Sequence, residues 1–127
     1  MDKNSLQEFQ KGTMGVNHRG YELVNAYDPE YFKALKGLYA DATFERHGAA
    51  LSRKTKELIM VAITSAIRSN RGAHVHIKRA LLSGATPREV MEAVETATIP
   101  TGLPTLWFGV EALADELEAM GREFGDE

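Results

Sequence analysis

The 127-residue chain contains no cysteine. Disulfides, thiolate nucleophiles and cysteine-ligated metals are therefore excluded together, and the redox compartment is left open. An excess of positive charge is also missing: 15 Lys and Arg stand against 18 Asp and Glu, for a net charge of −3. Nothing supplies the basic field that a nucleic-acid partner needs. The run Arg53-Lys54-Thr55-Lys56 reads as a solvated helical first turn. No apolar run approaches the ~20 residues of a membrane span, and the opening MDKNSLQEFQKG lacks a signal-peptide core. The expectation is a cytoplasmic soluble protein with no membrane partner. Period-two alternation is missing too, so strands are not expected and the class is all-α, with five to six helices. What is present, 43% hydrophobic and 26% charged residues, is the composition of one ordinary globular domain.

The central stretch is Leu51 to Thr86, read as two helices meeting at a break. Ser52 is a good N-cap for the first, and apolar residues follow on nearly every side of Glu57-Leu58-Ile59-Met60-Val61-Ala62-Ile63, which places that helix in the middle of the fold. In the second, Ala73, Ile77, Ala80 and Leu81 form a stripe ended by Gly84, and His76 lies on that stripe. Residues 1–16 read as a polar arm that orders only against something else, 17–121 as the domain, and 122–127 as a frayed tail. Within the domain, Asp28-Pro29 starts a helix running to about Phe44, with Tyr31, Phe32, Leu35, Leu38, Tyr39 and Ala42 as its apolar face. Thr86-Pro87-Arg88-Glu89 is a capping box for a helix to about Ala97. The segment Ile99-Pro100-Thr101-Gly102-Leu103-Pro104 is expected to break it, and a last helix runs from about Pro104 to Met120. There Trp107-Phe108 adds aromatic surface of the kind found at interfaces, although a lone tryptophan at helical spacing also suits a core.

Of the four histidines, His18 and His47 lie in loop-like sequence without an evident partner. His74 and His76 are two apart, which on a helix points them about 200° from one another, so a shared metal ion is not expected. A buried His76 needs hydrogen-bond partners, and Glu57 is the nearest carboxylate inside an apolar run. Two readings follow: an inert structural pair, or a carboxylate-oriented imidazole acting as general acid or base. Ser69, Arg71 and His74, around the break, are candidate substrate-binding groups. Arg71 is chosen for its forked guanidinium, and a helix starting after it would offer backbone N–H groups to an anion.

The ordered set Glu57, His76, Ala80, Gly84-Ala85-Thr86, Glu89 and Gly102-x-Pro104 resembles the carboxymuconolactone decarboxylase family, which includes the alkylhydroperoxidase D-like proteins, over about Tyr27 to Leu117. The resemblance implies an alkylhydroperoxidase D-like helical fold and a homo-oligomer, a trimer or a hexamer. Its redox-active branch carries Cys-x-x-Cys-x-x-x-His; the two cysteine positions are Ser69 and Gly72 here, so thiol peroxidase activity is excluded. The other branch resembles decarboxylases that need no metal or organic cofactor. By that resemblance His76 is the proton donor, Glu57 its partner, and a small carboxylated lactone or oxo-acid the substrate. This chain departs from that branch at Pro100-Thr101-Gly102-Leu103-Pro104 and at Ser69-Asn70-Arg71-Gly72-Ala73-His74-Val75, where the pocket is expected. The resulting expectation is a cofactor-free, decarboxylase-like lyase. The alternative is a non-catalytic oligomeric or small-molecule-binding protein, and an isomerase or hydratase using the same pair is a third reading.

Overall fold

The computed structural model describes residues 2–12, 14 and 18–127. Every element assigned among them is helical, and none is long and apolar enough to cross a membrane. They fall into two compact units, Met1–Ala50 and Leu51–Glu127.

The first unit holds α1 (Lys3–Gly12), α2 (His18–Tyr27) and α3 (Pro29–Lys36), the last continued as a π-helical stretch over Gly37–Phe44. The arm read over 1–16 therefore contains a helix, although 1, 13, 15 and 16 lie outside the described residues. Phe9 of α1 anchors that helix, its ring meeting those of Tyr21 and Phe32 edge-on at 4.9 and 5.1 Å. His18, expected in a loop, opens α2. Asp28 caps α3 by accepting from the Tyr31 N–H, with Pro29 next to it as the start signal requires. The apolar face of α3 is narrower than its sequence suggests. Phe32, Leu35, Tyr39 and Ala40 join the core, while Tyr31 and Leu38 are exposed. One helical stripe cannot hold all of these positions. The π pitch brings residues five apart onto one side, and the Tyr39 and Phe44 rings accordingly lie 4.8 Å apart.

The second unit is built from α4 (Arg53–Ala66), α5 (Asn70–Leu82), α6 (Pro87–Thr101) and α7 (Leu103–Ala119). Its core is made of small and branched residues, with Val61, Ala73, Ile77, Ala80, Val90, Val94, Ala112, Leu113 and Leu117 all buried. Helices lined this way can approach closely, and Gly109 is the limiting point. A Cβ there would sit 2.6 Å from a methyl of Val94 and 3.0 Å from Ser65 Oγ.

Two boundaries and the covering of one helix differ from the sequence reading. The α4–α5 break spans Ile67–Ser69, so α5 starts at Asn70 and Arg71 falls inside its first turn. At that break Arg68 takes a left-handed backbone, φ 60°, and its Nη1 reaches the carbonyls of Ser65 and Ala66 and the hydroxyl of Thr105, the last at 2.8 Å. Helix α6 keeps Pro100 within its last turn and stops only at Gly102, φ 94°. A proline there still forfeits one hydrogen bond and crowds the carbonyl four residues back, but only one residue of α6 follows it, so no further turn is carried past the distortion. Helix α4 is not covered all round: Ile59, Ile63 and Ile67, four residues apart, are exposed. Phe108 packs on the core of this unit, whereas Trp107 is 60% exposed.

Candidate active site

Glu57 sits one turn inside α4 and His76 midway along α5. Ser52 starts α4 by accepting from the Thr55 N–H, and Ser69 starts α5 by accepting from the Gly72 N–H. These caps set the phase of each helix, and the phases turn the two side chains toward one another. His76 Nδ1 lies 2.8 Å from Glu57 Oε1. The Glu57 side chain is fully buried, whereas the imidazole keeps about a tenth of its surface in contact with solvent. An ionised carboxylate can only accept, so in that state Nδ1 carries the hydrogen.

The second carboxylate oxygen is also engaged. Arg53 Nε donates to Glu57 Oε2 at 3.3 Å across one helical turn, with 18% of the arginine side chain exposed. Arg53 is the residue that the sequence reading missed. Its signal is the i,i+4 spacing to Glu57, which a reading of residues 53–56 as one solvated run overlooks. The neighbouring Lys54 does turn outward, pairing with Glu89 at 3.0 Å.

The other candidate groups are not gathered at this pair. Ser69 spends its hydroxyl on the α5 cap. Arg71 is exposed in the first turn of α5, five residues before His76 and so roughly 140° from it around the axis. No N–H-presenting helix start follows Arg71, because α5 has already begun. His74 turns to α7, with Nδ1 2.8 Å from the Asn70 carbonyl and Nε2 3.2 Å from Asp115 Oδ2. Burial works against a charge on His74, but the Asn70 carbonyl, the Asp115 carboxylate and the field of Glu116 together outweigh it. They hold its pKa above the ordinary imidazole value. A cavity of about 490 Å³ opens elsewhere in this unit, between α6, α7 and residues 124–127, over Met91, Val110, Leu113 and Leu117.

A carboxylate-held imidazole on two adjoining helices is the constellation that the resemblance leads one to expect. Residues 29–115 match the carboxymuconolactone decarboxylase family. The chain belongs to that family. Two solved structures share its fold. One is a protein of Burkholderia xenovorans LB400 assigned provisionally as a carboxymuconolactone decarboxylase, 22% identical, covering 91% of this chain and 94% of its own, with a TM-score of 0.65. The other is a family protein of Thermotoga maritima linked provisionally to an antioxidative response, 23% identical, covering 91% and 97%, with a TM-score of 0.63. No protein of curated function matches the chain significantly. Membership supports a decarboxylase-like or alkylhydroperoxidase D-like family role, in a chain that has no cysteine.

Proposed function

We propose that this family member is a cofactor-free, decarboxylase-like lyase acting on a small carboxylated lactone or oxo-acid, with His76 as general acid and Glu57 as the group that holds it. The observation that carries the reading is the 2.8 Å contact between a fully buried carboxylate and an imidazole that still reaches solvent. In the reaction the bond from the ring carbon to the carboxylate carbon breaks and CO2 leaves. The electron pair delocalises toward the lactone carbonyl, and the Nε2–H of protonated His76 delivers a proton to carbon. Glu57 stabilises the imidazolium before transfer and keeps the ring aimed afterwards. General acid catalysis of this kind contributes about 10²–10⁴-fold. A chain without cysteine has no thiol chemistry with which to follow an antioxidative relative.

The test is CO2 release from a panel of lactone and oxo-acid carboxylates. Activity lost in His76→Ala, with folding and assembly intact, supports the reading; unchanged turnover in that variant removes His76 from the mechanism. Glu57→Gln is expected to lower turnover as well.

A second reading, a non-catalytic small-molecule-binding protein, is favoured by one observation: neither Glu57 nor His76 lines the 490 Å³ cavity. A ligand found there by crystallography, together with silence in the CO2 screen, would establish it. Both readings include a homo-oligomer, a trimer or hexamer. The support is the exposure of Ile59, Ile63, Ile67, Ile99, Leu103 and Trp107, apolar surface that a second copy would cover. Light scattering of the purified protein measures the mass directly.

A further inference from the structure

We propose that Arg53 is a positioning residue whose task is to keep the proton shared between Glu57 and His76 on the imidazole. The proposal deepens the acid–base reading of the pair, yet it is tested without substrate.

When the pair holds two protons, they can be placed in two ways along the same 2.8 Å contact. In one, His76 is an imidazolium, with hydrogens on Nδ1 and Nε2, facing an ionised Glu57. In the other, the Nδ1 proton has crossed to Oε1: one N–H bond has broken, one O–H bond has formed, and a neutral ring accepts from a neutral acid. The heavy atoms hardly move between them. Burial favours the neutral arrangement, since both charges are costly away from water and Glu57 has no exposed surface. What opposes burial is the donor at the other oxygen. Arg53 Nε lies 3.3 Å from Oε2, and a guanidinium is permanently charged and can only donate. It donates to Oε2 in either arrangement, but its charge stabilises the anion far more than the carbonyl oxygen of a neutral acid. With 18% of its side chain exposed, that charge is sheltered from bulk screening.

Its placement runs against the interests of its own helix. Arg53 is the first residue of α4, whose first turn contains no acidic residue, so the cation faces the positive end of the helix dipole. A cation N-terminal to a carboxylate at i,i+4 is also the weaker order for helix stability. Lys54 and Lys56 break the dipole rule in the same turn, and Arg53 adds to it a direct hydrogen bond to the buried carboxylate, which fits a role at the site. The consequence is chemical. Only the imidazolium arrangement gives His76 an Nε2–H whose departure leaves a neutral ring; with the proton on Glu57, losing Nε2–H would leave an imidazolate anion.

The experiment is ¹⁵N and ¹³C NMR of the whole protein at a pH where the pair holds both protons. Wild type is expected to show two protonated-type nitrogens for His76 and an ionised Glu57 carboxyl. In Arg53→Gln the Nδ1 signal should move to the unprotonated, pyridine-like position while the Glu57 carboxyl moves to its protonated position, and Arg53→Lys should restore the wild-type pattern. An Arg53→Gln protein that keeps the imidazolium and the ionised carboxyl overturns the proposal. A neutral His76 ring in wild type at that pH overturns it without any variant. A protein that releases no CO2 but follows the expected NMR pattern defeats the lyase reading and leaves this one standing.

Discussion

Two histidines stand two residues apart on α5 and occupy different media. His76 faces α4 and meets a carboxylate with no exposed surface. His74 faces α7 and meets Asp115, whose side chain is 63% exposed. Each ring nitrogen concerned finds a carboxylate at about hydrogen-bond distance, so contact geometry alone would rate the two pairs alike. The surroundings separate them. Around Glu57 water cannot replace a lost partner, whereas around Asp115 it can. The lesson is that the face of α5, more than the residue type, decides which histidine carries consequence.

The strongest way to break this comparison is to remove one acid at a time. Glu57→Ala is expected to cost about 3–5 kcal/mol in chemical denaturation, because it strands buried groups that were paired. A loss as small as that of the outer pair would collapse the distinction. Gly72→Ala comes next, at about 1–3 kcal/mol of overpacking. Its Cβ would lie 2.6 Å from Ser69 Oγ and 2.9 Å from a methyl of Thr64, wedging α5 away from α4 where the inner pair depends on their spacing. Asp115→Asn should cost less than about 1 kcal/mol, and raising the salt concentration should shrink even that while leaving the Glu57 effect largely intact.

The pH dependence sharpens the contrast further. The His74 pKa is raised in the folded protein, so its contribution is fully present below the ordinary imidazole value, provided Asp115 is ionised. It is lost as pH rises through the raised folded value. Stability curves of wild type and Asp115→Asn should therefore converge above the raised folded value. Glu89 runs the other way. Its hydrogen bond from the Thr86 backbone, with Lys54 adding to it, lowers its pKa, so that cap contributes above the ordinary carboxylate range and fades on acidification. A small acid-side loss, abolished in Glu89→Gln, is the least of these effects.

Much of this was legible in the chain itself. Capping residues announced α3, α4 and α6, and the stripe through Ala73, Ile77 and Ala80 identified the buried side of α5. The Glu57–His76 pairing followed from one carboxylate and one imidazole, each set among aliphatics. The failures share a cause: local patterns do not report what covers a face or which cation turns inward. Arg53 and Lys54 are adjacent and chemically alike, yet one reaches the buried carboxylate and the other a surface glutamate. Arg79, of a residue type that is seldom fully buried, is 2% exposed. The break expected over residues 99–104 falls at Gly102, so Pro100 stays inside α6. The isoleucines of this stretch point to an enclosed helix, and a single chain leaves Ile59 and Ile63 of α4, and Ile67 just past its end, exposed.

The corner at Arg68 sets a limit on redesign. A left-handed residue that is not glycine usually invites a glycine replacement to relax the backbone. Here that exchange would release the carbonyls ending α4 and cut the bond to Thr105 at the start of α7. Anyone rebuilding this loop would first have to supply another tether between those two helices, because at present one side chain both closes the corner and ties α4 to α7.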